Sequence, residues 1–205
     1  MDNYYYLISG LPELSKEWKF ADNSSAGKLL EEIRENCSDR DNVVIDLMLN
    51  GFDDKKLNYE FYRVALDNKN RFIREYFKFD LNMRNAKVGY LNEALGRDSK
   101  KDTITVPVED DEFEEASKID SALHTGDILG RERALDAILW DKIDELTTFD
   151  YFDLDALLGF IAKLHIIDRW FRLDESEGRK MFKKLVDQVR GTFKGVGPEV
   201  DKLNN

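Results

Sequence analysis

One apolar stretch, residues 153–173, constrains the fold more than any other part of the chain. Its apolar residues recur at three- and four-residue steps, as on the faces of an α-helix. They form two stripes, Leu157, Phe160, Ile161, Leu164, Ile167 and Phe171 on one side and Leu158, Ala162, Ile166 and Trp170 on another. A helix that is apolar on two sides must be enclosed by other helices. We therefore predict a central core helix, capped at its start by Asp153.

The composition predicts a soluble, helix-rich protein. Hydrophobic residues make up 42% of the 205 residues and charged residues 36%, with only three prolines. The net charge of −11 argues against nonspecific nucleic-acid binding, which requires a basic surface. Charged residues such as Lys163 and Asp168 interrupt the core helix, so we do not expect it to insert into a membrane. A single cysteine and the lack of a signal-like N-terminus favour a cytoplasmic location.

Residues 70–95 form the second strong helical pattern. Their two apolar stripes are Phe72, Tyr76, Phe79, Met83, Ala86, Tyr90 and Ala94, and Ile73, Phe77, Leu81, Val88, Leu91 and Leu95. A polar row of Asp80, Arg84 and Lys87 falls between the stripes, so we expect it to be partly buried. Asp80 and Arg84 are four residues apart and can pair along the helix. We interpret the row as a structural ion pair that fixes helix register; the alternative is a proton or ligand site.

The remaining patterns complete an all-α fold with two lobes of helical hairpins. An apolar N-terminal segment that contains three adjacent tyrosines is expected to dock on the core. Helices are predicted from Ser24 or Ser25 to residue 36, and over residues 39–50, 59–66, 128–147 and 174–193. We place an N-terminal lobe at residues 1–96, an extended linker at 97–109, a C-terminal lobe at 110–194 and a mobile tail at 195–205.

A dense acidic segment lies where the linker meets the second lobe. It has six carboxylates within residues 109–115, namely Glu109, Asp110, Asp111, Glu112, Glu114 and Glu115. Consecutive carboxylates cannot converge on one metal ion as spaced ligands do. The simplest interpretation is the negatively charged first turn of a helix that runs towards Leu123. The functional alternative is a surface that binds a partner.

The sequence offers little evidence of catalysis. It contains no glycine-rich phosphate loop, no nucleophile elbow and no pair of histidines at metal-binding spacing. Its two histidines are His124 and His165, and the second lies inside the core helix, where a structural role is the default. We therefore predict no catalytic residue, no cofactor site and no metal site. An enzyme with a site around Asp80, Arg84 and His165 stays open as an alternative.

Three stretches resemble a family of short bacterial proteins of unknown function that are typically encoded among the subunits of a V/A-type ATPase. They are residues 4–14 (YYYLISGLPEL), 72–98 (FIREYFKFDLNMRNAKVGYLNEALGRD) and 129–174 (LGRERALDAILWDKIDELTTFDYFDLDALLGFIAKLHIIDRWFRLD). The two long helices are also similar to the C (or d) subunit of those ATPases. Its pattern is an aromatic helix with an acid, then an asparagine, then a base. The matching residues are Phe77, Asp80, Asn82 and Arg84, with a degenerate second copy at Lys163, Asp168 and Arg169.

The resemblance implies a mechanical role. The C subunit is an all-helical socket that sits on the membrane rotor ring, receives the central stalk and transmits torque without binding ATP or a metal. Its partners would be other ATPase subunits, and its location would be cytoplasmic or peripheral to the inner membrane through the complex. An assembly or regulatory factor of the same ATPase is the second hypothesis.

Overall fold

The computed structural model describes residues 4–17, 25–107 and 113–172, which form eight α-helices and no β-strand. The all-α prediction is therefore confirmed for this part of the chain. The helices are α1 (Tyr5–Gly10), α2 (Ala26–Asn36), α3 (Asp39–Asn50), α4 (Tyr59–Leu66), α5 (Arg71–Ala94), α6 (Ala116–Leu123), α7 (Ile128–Leu146) and α8 (Leu154–Arg172). None of the described helices is long and apolar enough to cross a membrane.

Local capping explains where most of these helices begin. In six cases a side-chain oxygen just before the helix accepts a hydrogen bond from the backbone N–H three residues later. Such a cap satisfies an N–H group that has no partner within the helix and typically contributes about 1 kcal/mol. The capping residues are Ser25, Ser38, Asn58, Asn70, Asp127 and Asp153.

The longest helix, α5, organises the core along its first two-thirds. It packs against α4, α6 and α7, and its side chains Phe72, Ile73 and Phe77 have no exposed surface. Towards its end the helix leaves the core, since Leu91 and Leu95 are 52% and 63% exposed. The second predicted stripe, which ends in Leu91 and Leu95, is therefore not covered by other elements in this last part. Apolar periodicity alone cannot tell which turns of a helix other elements will cover.

The buried surface of α8 extends around both predicted stripes. Leu157, Ile161 and Ile167 are buried on the first stripe, and Leu158 and Ala162 on the second. A close approach to α7 at Gly159 makes this possible, because a Cβ atom there would lie 2.5 Å from Cγ2 of Thr147.

The prediction of a core helix is confirmed over most of its length. Phe171 differs, because 60% of its surface is exposed.

The segment that follows α5 is held along the helix by two asparagine side chains. Asn85 donates to the carbonyl of Ile104 at 2.7 Å and accepts from its N–H at 2.9 Å, as a neighbouring strand would. Asn92 is buried and donates to the carbonyl of Lys101 at 2.6 Å. Residues 97–107 contain neither helix nor strand.

The chain divides into two compact units, Met1–Asp168 and Arg169–Asn205. Of the second unit, only residues 169–172 are described, as the last turn of α8. The predicted helix at 174–193 and the predicted tail at 195–205 lie outside the described residues. The predicted lobe boundaries stay a prediction.

Candidate functional site

Asp80, the residue at the centre of the predicted polar row, is bound by a tyrosine of another helix. Tyr62 on α4 has no exposed surface, and its hydroxyl donates to Oδ2 of Asp80 at 2.7 Å. Asp80 is half-buried and densely surrounded by protein. Burial raises the pKa of Asp80 to about 6, although the Tyr62 hydrogen bond and the Arg84 charge act against that rise. The carboxyl group therefore titrates close to neutral pH.

Among the described residues, Asp80 and Arg84 do not form an ion pair with each other. The prediction of that pair was wrong. Arg84 pairs with Asp54 at 3.9 Å, and Lys87 pairs with Glu132 of α7 at 3.0 Å. Both cations are about one-third exposed, so each long side chain reaches a carboxylate near the surface. The row still has a structural role, because Tyr62 joins α4 to α5 and Lys87 joins α5 to α7.

The structure describes two carboxylates of the acidic segment, of which one is exposed and the other forms an ion pair. Glu114 is exposed, whereas Glu115 pairs with Lys142 of α7 at 2.8 Å, with both side chains less than one-fifth exposed. Burial alone would lower the pKa of Lys142, but hydrogen bonds to Glu115 and Glu145 outweigh it and the pKa is raised. Four members of the predicted surface lie outside the described residues, namely Glu109, Asp110, Asp111 and Glu112.

His165 is the third residue of the alternative enzyme site, after Asp80 and Arg84. The ring of His165 stacks on Phe52, with centroids 4.0 Å apart and planes 4° from parallel. Cavities of about 650, 210 and 810 Å³ open on the described part of the protein, and neither Asp80, Arg84 nor His165 lines any of these. Among the described residues, no group of histidine, cysteine and carboxylate side chains is arranged to hold a metal ion.

The first tyrosine of the N-terminal segment fixes that segment to the core. Tyr4 is only 7% exposed, its N–H donates to the carbonyl of Phe152 at 2.8 Å, and its hydroxyl donates to Asp41 of α3. Burial and the bond to Asp41 raise the pKa of Tyr4 to about 12. The prediction of a docked N-terminal segment is confirmed at this residue.

Next to this anchor lies a group of exposed rings, which includes two of the three tyrosines that were expected to dock on the core. Tyr6 and Phe149 are 90% and 85% exposed, and Tyr151 is 66% exposed. The ring centroids of Tyr5 and Phe152 are 4.7 Å apart. The signal in the sequence was two aromatic clusters, at residues 4–6 and 149–152, which the fold brings into contact at Tyr5 and Phe152. We call this group, Tyr5, Tyr6, Phe149, Tyr151 and Phe152, the aromatic surface.

A charged cluster fixes the loop that carries part of the aromatic surface. Arg71, at the start of α5, pairs with Asp150 at 2.6 Å and Asp155 at 3.5 Å, and donates to the carbonyl of Leu146 at 2.9 Å. Burial and the charge of Asp153 raise the pKa of Asp150 despite the opposing effect of Arg71. The cluster lines the cavity of about 810 Å³. Its contacts hold the α7–α8 connection against α5.

Comparison with known proteins gives one match. The model of a family described as "Protein of unknown function (DUF2764)" matches residues 1–60 and 53–192. No curated protein and no solved structure matches the chain.

Proposed function

The chain belongs to the DUF2764 family of proteins of unknown function, and on that premise we propose that it is a non-catalytic subunit of a V/A-type rotary ATPase. In this role it couples the central stalk to the membrane rotor ring, as the C (d) subunit does. Its partners are the stalk and ring subunits, and catalysis resides elsewhere in the complex. The proposal rests on the resemblance of residues 72–98 and 129–174 to that subunit.

The observation that best supports a mechanical role is that the residues of the polar row contact other parts of the fold. Two of its three charged residues, Asp80 and Arg84, also belong to the alternative enzyme site. Asp80 is held by Tyr62, Arg84 lies next to Asp54, and Lys87 pairs with Glu132. The first and last of these contacts join neighbouring helices, so the row helps α4, α5 and α7 to move together. Transmission of torque requires such a rigid assembly of helices.

The stoichiometry of the purified complex tests this proposal. The chain, tagged in its native host, is purified from detergent-extracted membranes in parallel with a tagged catalytic ATPase subunit. We expect one fixed ratio of the chain to the central stalk in both preparations. Recovery only in partial complexes that lack the catalytic head would indicate an assembly factor instead. Absence of ATPase subunits from the first preparation and of the chain from the second would refute both roles.

A further inference from the structure

We draw no further inference here: the strongest candidate, the patch of exposed rings that forms the aromatic surface on α1 and the α7–α8 connection, carries nothing because nothing in the part of the chain that the structure describes shows what covers it.

Discussion

The hydroxyl of Tyr62 on α4 donates a 2.7 Å hydrogen bond to Oδ2 of Asp80 on α5. This bond crosses between helices, whereas the ion pair expected from the sequence would have run along α5. Arg84 instead lies near the surface, 3.9 Å from Asp54. Loss of Asp80 would therefore leave a buried hydroxyl without its partner rather than a buried cation. The predictions for this site follow from that difference.

The first prediction concerns pH. The pKa of Asp80 is about 6 in the folded protein and 3.8 ordinarily, so the folded state binds this proton more tightly than the unfolded chain does. Its contribution to the free energy of unfolding is fully present below about pH 4 and is lost as pH rises through 6. Asp80→Asn keeps an acceptor for Tyr62 but cannot ionise. We expect this variant to be more stable than the wild type at pH 7, by up to about 3 kcal/mol.

Urea unfolding of both proteins between pH 4 and 8 provides the measurement for this prediction. The difference in free energy of unfolding should vanish near pH 4, which separates the effect of Asp80 from that of the other carboxylates. A difference that does not change with pH would show that the charge of Asp80 is not the cause.

The second prediction concerns the coupling between the two side chains. Asp80→Ala and Tyr62→Phe each remove one member of the hydrogen bond, and each leaves the other without its partner. The double variant should lose less stability than the sum of the two single changes, by about 1–3 kcal/mol. Arg84→Met is the control, and its coupling to Asp80→Ala should be smaller. Equal coupling in the two cycles would restore the ion-pair interpretation.

The third prediction separates Glu114 from Glu115. Glu115→Gln breaks a largely buried pair with Lys142, so we expect a loss of about 1–3 kcal/mol in the free energy of unfolding. Glu114→Gln changes an exposed residue and should stay within about 0.5 kcal/mol of the wild type. Thermal or urea unfolding measures both. Similar values for the two variants would mean that the Glu115–Lys142 pair contributes nothing measurable to stability.

The fourth prediction tests the packing of Gly51 against α5. A Cβ atom at Gly51 would lie 2.2 Å from the ring of Phe77, which is fully buried and has little room to move. Gly51→Ala should therefore lower the free energy of unfolding by about 1–3 kcal/mol, measured by urea unfolding. Gly27→Ala is the control, because that glycine lies in α2 with no atom near its Cβ position. Gly27→Ala should stabilise the helix by about 0.5–1 kcal/mol. If Gly51→Ala were stabilising too, that result would contradict the close packing of Gly51 on Phe77.

The fifth prediction concerns the acidic segment as a partner surface in the proposed ATPase. Neutralising Asp110, Asp111, Glu112 and Glu114 while keeping Glu115 preserves the pair with Lys142. We expect the variant to fold normally, to bind the complex more weakly and to lower coupled transport, because charge steers such contacts. Binding of the wild type should also weaken above about 0.15 M salt. Full coupled transport by the variant would place the interface elsewhere.

The sequence alone determined the local structure of this protein. The start of α3 at Asp39 and the short α4 were both predictable, because a capping side chain and apolar spacing act within a few residues. The two-sided burial of α8 was predictable for the same reason. Such signals need no knowledge of distant parts of the chain.

Only the tertiary structure decided which partner each polar side chain has and which apolar side chains stay uncovered. Tyr62 and Asp80 are 18 residues apart, and Tyr4 and Asp41 are 37 apart, so no local spacing could pair them. Likewise, Tyr4 is buried while Tyr6, two residues later, is 90% exposed. Hydrophobicity is the same for both tyrosines. Their burial differs because the elements that cover Tyr4 come from distant parts of the sequence and arrive only when the chain folds.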